Sequence, residues 1–256
     1  MRRPRKLKRG IYLLPTLFTV GNLFCGFSSI VQAGNGRFEA AALLIIVAGI
    51  LDALDGRIAR LTGTTSEFGV EFDSLADLVS FGVAPAMLAY DWALGSFGRL
   101  GWLIGFLFVV CAAMRLARFN IRADVTEKRH FAGLPSPAAA GALATIAFAF
   151  PDPAGKTGWF GTVIAVLVAT LGLMMISRFR YRSFKEFDLR NRHSYTYVLP
   201  LAAIIVAIAL RPKLAMLVLA AIYFLSAPLT YAWSCVRRRD RGGDVVSEIV
   251  DGRSIR

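Results

Sequence analysis

The sequence predicts an all-α fold: a polytopic integral membrane helical bundle of about eight transmembrane helices, with both termini cytoplasmic. Three observations predict it. The 256 residues are 56% hydrophobic and only 18% charged, against roughly 25% charged for a soluble globular domain. Apolar runs close to the roughly 20 residues that cross a bilayer recur along the chain. The basic residues are divided unequally between the connections of those runs.

In order, the runs are about 11–33, 38–60, 70–95, 97–118, 136–151, 156–177, 195–210 and 213–236. The first follows "MRRPRKLKRG", which superficially resembles the basic part of a signal peptide. It continues through residue 33 without a convincing small-residue cleavage site, so it reads as a retained span. The 136–151 and 195–210 runs are short, as tilted or partly buried segments are.

With eight spans and both ends inside, the outward turns hold Arg37, Arg99, Lys156, Arg211 and Lys213. The other 25 of the 30 Lys and Arg fall on the opposite face, as short cytoplasmic loops require. The net charge of +13 is therefore mostly topology, and secondarily attraction to anionic headgroups. Nucleic acid is excluded as a partner, because 19 Phe and long aliphatic runs match a basic soluble domain poorly. Short connections and the lack of an internal repeat give one membrane domain, residues 1–236. The polar, basic residues 237–256 read as a mobile cytoplasmic tail.

Cys25, Cys111 and Cys235 lie in apolar runs without a CxxC or a neighbouring His, so neither a disulfide framework nor a zinc site is expected. His130 and His193 fall in cytoplasmic loops and read as solvated or hydrogen-bonded. Trp92, Trp102, Trp159 and Trp233, with Tyr195 and Tyr197, fall near span ends and are expected in an interfacial belt.

The chemistry concentrates in "LDALDGRIARLTGTTSEFGVEFDSLADLVSFGVAP", residues 51–85. Helical spacing puts Asp52 and Asp55 on one face of the second helix and Asp73 and Asp77 on one face of the third. A loop over about 61–69 lets these helices run antiparallel, with the two pairs face to face near the cytoplasmic end. An isolated carboxylate at mid-bilayer costs a few kcal/mol, so four together call for a positive partner. Hard divalent cations suit oxygen ligands, and a carboxylate pair from each of two helices can bridge two ions. For any one carboxylate, pairing with Arg57 or Arg60 is the simpler alternative. Gly56 and Ala59 suit tight helix packing or the close approach of a phosphorylated ligand, with Arg60 available to a phosphate oxygen. Thr62, Thr64, Thr65 and Ser66 add possible donors.

Asp52, Asp55, Gly56, Ala59, Arg60, Gly69, Asp73 and Asp77 fit the pattern DxxDGxxARx8Gx3Dx3D without a departure. In this the chain resembles the CDP-alcohol phosphotransferases. Outside the pattern, "TLFTVGNLFCGF" (16–27), "VSFGVAPA" (79–86), "CAAMRLARFNI" (111–121) and "FAGLPSPAAAG" (131–141) resemble the membrane-embedded phosphatidylserine synthases of that family. One departure is visible, since the first-helix motif often reads Pro-Asn in relatives and here reads Pro15-Thr16. The resemblance spans about residues 12–235, with the C-terminal third matching in hydrophobic pattern alone.

The resemblance implies a homodimeric membrane enzyme with a six-helix family core that uses a CDP-linked substrate and releases CMP. Asp52, Asp55 and Asp73 would hold two divalent ions, Mg2+ or Mn2+, with Asp77 near the second ion and acting as general base. Gly56, Ala59, Arg60 and Ser66 would contact the CDP portion, with the Thr16 hydroxyl in place of the Asn. For this subclass the reaction implied is L-serine plus CDP-diacylglycerol giving phosphatidylserine plus CMP, in an inner or plasma membrane with the site facing the cytoplasm. A serine carboxylate calls for a fixed cation, for which Arg115 and Arg118 are placed, although both also suit positive-inside flanking. Asn120 and Ser80 are polar candidates for the serine amine or hydroxyl. A sibling transferase using glycerol 3-phosphate, inositol phosphate or choline would share the metal ligands, but an acceptor phosphate would favour more cations at the site. An ion transporter would spread its acidic residues through the membrane depth, and it leaves Gly56, Ala59 and Arg60 unexplained.

Overall fold

The structure, a computed structural model, describes residues 13–62, 66–123, 133–152, 158–177, 202–203, 206–207 and 209–222. The helices are α1 (Leu13–Gly34), α2 (Phe38–Thr62), α3 (Glu67–Leu78), α4 (Ala84–Ala89), α5 (Arg99–Ala123), α6 (Ser136–Ala149) and α7 (Gly158–Ile176). A further short helix, α8, covers Pro212–Ile222. Among the described residues every regular element is helical. A π-helical turn at Val79–Val83 joins α3 to α4, and a second at Tyr90–Leu94 carries the chain on, so Glu67–Phe97 is one continuous 31-residue span.

Among the described residues, four helical segments are long and apolar enough to cross a membrane: Thr16–Gly34, Glu67–Phe97, Arg99–Ile121 and Gly158–Ile176. The 25-residue α2 has the length, but it carries Glu39, Asp52, Asp55, Arg57 and Arg60, which lower its hydropathy. The 14-residue α6 is as short as its apolar run suggested. The last two predicted spans lie largely, and the tail wholly, outside the described residues.

Glu67–Phe97 is the most buried of the four spans. Phe81, Ala84, Leu88, Ala89 and Trp92 along it are enclosed, and α1, α2, α5, α6 and α7 all pack against it. α1 and α2 form a hairpin whose turn is closed by Gly36 at φ 74°, with its N–H donating to the Ala33 carbonyl at 2.9 Å. The buried Ser29 hydroxyl then donates to the Ala41 carbonyl at 2.8 Å, tying the two helices together. α1 packs on both α2 and α3, whereas α2 and α3 touch each other little. The acidic faces of α2 and α3 still approach each other, as expected, with α1 packed against both helices.

Trp92 corrects the expected aromatic belt. It is 1% exposed, stacks edge-on against Phe160, and donates its Nε1–H to the Phe150 carbonyl at 3.0 Å. The carbonyl just past the end of α6 supplies the partner that a buried indole needs. Trp102 and Trp159 are exposed, as a belt requires. Trp233, Tyr195, Tyr197, His130 and His193 lie outside the described residues.

At the end of α2 away from the aspartates, Lys213 pairs with Glu39 at 2.8 Å and sits 5.5 Å from the Phe148 ring centroid. Both side chains of the pair are about half exposed, so it contributes about 0–1 kcal/mol. It does group Lys213 with the start of α2, next to Arg37, as the predicted outward turns require.

Before α6, Gly133 adopts φ 95°, and a Cβ there would lie 2.3 Å from the Met175 carbonyl oxygen. The next residue, Leu134, donates its N–H to the Met174 carbonyl at 3.0 Å. Gly133→Ala is expected to lower stability by about 1–3 kcal/mol, since a left-handed backbone and a backbone clash coincide. An unchanged thermal midpoint in detergent would show that the turn relaxes freely.

Candidate active site

Asp52 from α2 and Asp73 and Asp77 from α3 converge, each offering a carboxylate oxygen, with all three oxygens within 4.8 Å of one another. The four-residue spacing on α3 puts Asp73 and Asp77 on one face, and α1, packed on both helices, sets the distance to Asp52. Asp73 Oδ1 is buried and has no hydrogen-bond partner. An unsatisfied buried acceptor costs about 1–3 kcal/mol, more when charged. An orphaned oxygen among three crowded carboxylates fits a hard cation, which takes oxygen ligands at about 2.0–2.6 Å.

Asp55 stands beside this cluster. It is buried, one of its oxygens accepts a hydrogen bond from the Thr19 hydroxyl of α1, and its charge acts on Asp73. Asn22, one turn further along α1, is fully buried and donates Nδ2–H to Asp77 Oδ1 at 3.1 Å. Thr19, Asn22 and Gly26 form one stripe of α1. At Gly26 an added Cβ would lie 2.7 Å from Ser80 Cα, so the helix backbone passes directly over the π turn. Sequence reasoning missed Thr19 and Asn22. The available signal was a pair of polar residues one helical turn apart in a span whose other polar side chains, Thr16, Ser28, Ser29 and Gln32, lie nearer its two ends.

The π turn begins two residues after Asp77, and it turns three consecutive residues, Ser80, Phe81 and Gly82, into the interior. Such turns recur at functional sites because they break the α-helical register. Ser80 donates its hydroxyl proton to the Asn22 backbone carbonyl at 2.9 Å, so it joins α1 to the turn.

The other candidates separate. Arg115 donates Nη1–H to Ser136 Oγ at 2.6 Å, and its charge acts on both Asp52 and Asp77. Arg118, nearly one turn later, donates to the Ile176 carbonyl at 3.2 Å and caps the end of α7. Asn120 bonds to Ser74 Oγ at 3.0 Å and Glu71 Oε2 at 3.3 Å, both on α3. Of the four residues expected to contact serine, Arg115 is the one whose charge reaches the carboxylate cluster.

Ser66 is the N-cap of α3 and accepts the Gly69 N–H at 3.0 Å. A Cβ at Gly69 would come within 3.0 Å of that hydroxyl, which gives the glycine of the pattern a packing reason. Gly56 is half-buried on α2, and Thr16 is exposed on α1. Ala59 and Arg60 fall within α2, but their side chains lie outside the described set.

The sequence profile of the CDP-alcohol phosphatidyltransferases matches residues 12–176, which takes in α1 to α7 and every site residue described above. The chain belongs to the CDP-alcohol phosphatidyltransferase family. The CDP-diacylglycerol–serine O-phosphatidyltransferase of Helicobacter pylori is 43% identical over 176 residues, covering 69% of this chain and 74% of its own. That of Mycobacterium leprae is 34% identical over 234 residues, 88% of this chain and 77% of its own. The archaetidylserine synthase of Methanothermobacter thermautotrophicus is 36% identical over 171 residues, 66% of this chain and 69% of its own. These three relatives share serine in their names; two are named for CDP-diacylglycerol and the third for archaetidylserine.

Proposed function

We propose that this family member transfers the phosphatidyl group of CDP-diacylglycerol to the hydroxyl of L-serine, giving phosphatidylserine and CMP. One observation carries the reading: Asp52, Asp73 and Asp77 meet within reach of the Arg115 charge, in a chain whose relatives are named for serine.

Asp77, steadied by Asn22, takes the proton from the serine hydroxyl as its oxygen attacks phosphorus. The new serine O–P bond forms, the P–O bond to CMP breaks, and CMP leaves. Two divalent ions, Mg2+ or Mn2+, held by Asp52, Asp55, Asp73 and Asp77, would neutralise the pyrophosphate and its leaving oxygen. Gly56, Ala59, Arg60, Ser66 and Thr16 take the CDP portion. Arg115 pairs with the serine carboxylate, for which a planar guanidinium is suited.

In this reading the protein is a homodimer of eight-span chains in the inner or plasma membrane. Both termini and the mouth of the site are cytoplasmic, and residues 237–256 follow the membrane domain as a tail. The site lies between a water-soluble acceptor and a lipid donor, as the reaction requires.

The acceptor is tested by supplying CDP-diacylglycerol and Mg2+ or Mn2+ with serine, glycerol 3-phosphate, inositol or choline in turn. Serine is expected to stimulate CMP release; if it does not, the acceptor assignment fails while family membership stands. Chelating the divalent ions should reduce serine-dependent release to background, and restoring either ion should recover it. Full activity in excess chelator would overturn the metal assignment.

A further inference from the structure

We infer that Ser136 is a positioning residue that aims Arg115 at the acceptor, and that the turn at Gly133–Ser136 sets this aim from the end of α7. The inference rests on the proposed pairing of Arg115 with the serine carboxylate.

Ser136 is 0% exposed, and its Oγ accepts from Arg115 Nη1 at 2.6 Å, a short charge-assisted bond. A guanidinium presents its donors in a rigid planar fork, so fixing Nη1 fixes the plane in which the rest of the fork lies. Ser136 opens α6 directly after Pro135, whose backbone is extended at φ −58° and ψ 136°. The direction of its side chain is therefore set by the preceding turn.

That turn is seated on α7. Gly133 leaves no room for a side chain against the Met175 carbonyl, and Leu134, 1% exposed, bonds to the Met174 carbonyl. From α5, Arg118 bonds to the Ile176 carbonyl of the same helix end. Arg115 and Arg118, three residues apart on one helix, thus reach one junction by two routes: Arg118 to α7 itself, Arg115 to the turn resting on it. A long, flexible side chain beside an acidic cluster would otherwise sample several rotamers, including collapse onto the carboxylates.

The test uses the full-length protein in mixed micelles containing CDP-diacylglycerol. Ser136→Ala is expected to raise the KM for L-serine about tenfold, the scale of one hydrogen bond to a charged group. The KM for CDP-diacylglycerol and the kcat at saturating serine should stay within about threefold of native. Ser136→Thr, which retains the hydroxyl, should restore the native serine KM. Should Ser136→Ala fail to accumulate, Ser136→Cys, similar in shape but a weak acceptor, is expected to give the same split. A serine KM unchanged in Ser136→Ala, or a loss spread equally over kcat and both KM values, overturns the inference. Arg115→Ala separates the two levels. If it raises the serine KM while Ser136→Ala does not, Arg115 keeps its role and Ser136 loses its own; if Arg115→Ala leaves the serine KM unchanged, the Arg115 pairing itself fails.

Discussion

Asp77→Asn should yield a folded membrane protein whose CMP release is reduced by about two to four orders of magnitude, the usual worth of a general base. The substitution is nearly isosteric, and the new amide oxygen can still accept the Asn22 Nδ2–H bond that holds α3 to α1. What is lost is basicity and one charge of the Asp52, Asp73 and Asp77 cluster. Native thermal stability with collapsed turnover is the expected pair of results on purified protein. Turnover at the native rate would show that another group takes the serine proton.

Gly26→Ala should cost both stability and activity, although it adds one methyl group far along the sequence from any aspartate. The added carbon would lie 2.3 Å from Ser80 Oγ and 2.7 Å from Ser80 Cα. Rotating the hydroxyl relieves the first contact, but the second is with backbone, so α1 must move off the π turn. Overpacking of this kind costs about 1–3 kcal/mol. The shift would also stretch the Ser80 bond to the Asn22 carbonyl and the Asn22 bond to Asp77, and misplacement by about 1 Å can cost about 10²-fold in rate. Gly34→Ala, at the other end of the same helix with nothing within 4 Å, is the matched control and should be near neutral. Equal activity and stability for the two variants would mean that the α1 contact with the π turn is dispensable.

Much of the candidate site was legible in the chain because its residues are close in sequence. Asp73 and Asp77 are one helical turn apart, Asp52 precedes them by a short connection, and helical periodicity alone groups them. Sequence spacing could not reveal that α1 lies against both α2 and α3. It therefore missed Thr19 on Asp55 and Asn22 on Asp77, and left Ser80 as a substrate candidate when its hydroxyl joins two helices. Arg115 and Arg118 looked equivalent for the same reason. Three residues on a helix differ by about 60° in direction from a full turn, and here that difference sends one side chain to Ser136 and the other to the end of α7.

Trp92 teaches the same lesson for the fold. Its position near a span end suggested the membrane interface, yet α7 and the end of α6 enclose it.

By itself, then, the sequence determined that this protein is helical and embedded in a membrane, and which short segment carries its carboxylates. Hydropathy and i, i+4 spacing are properties of neighbouring residues, and they survive without knowledge of how helices pack. The tertiary structure alone decided which partners hold those carboxylates and where Arg115 and Arg118 are bonded. The contacts of the carboxylates join residues 36 and 55 positions apart, and those of the arginines 21 and 58; they depend on helix rotation and on the close approach that a single glycine allows.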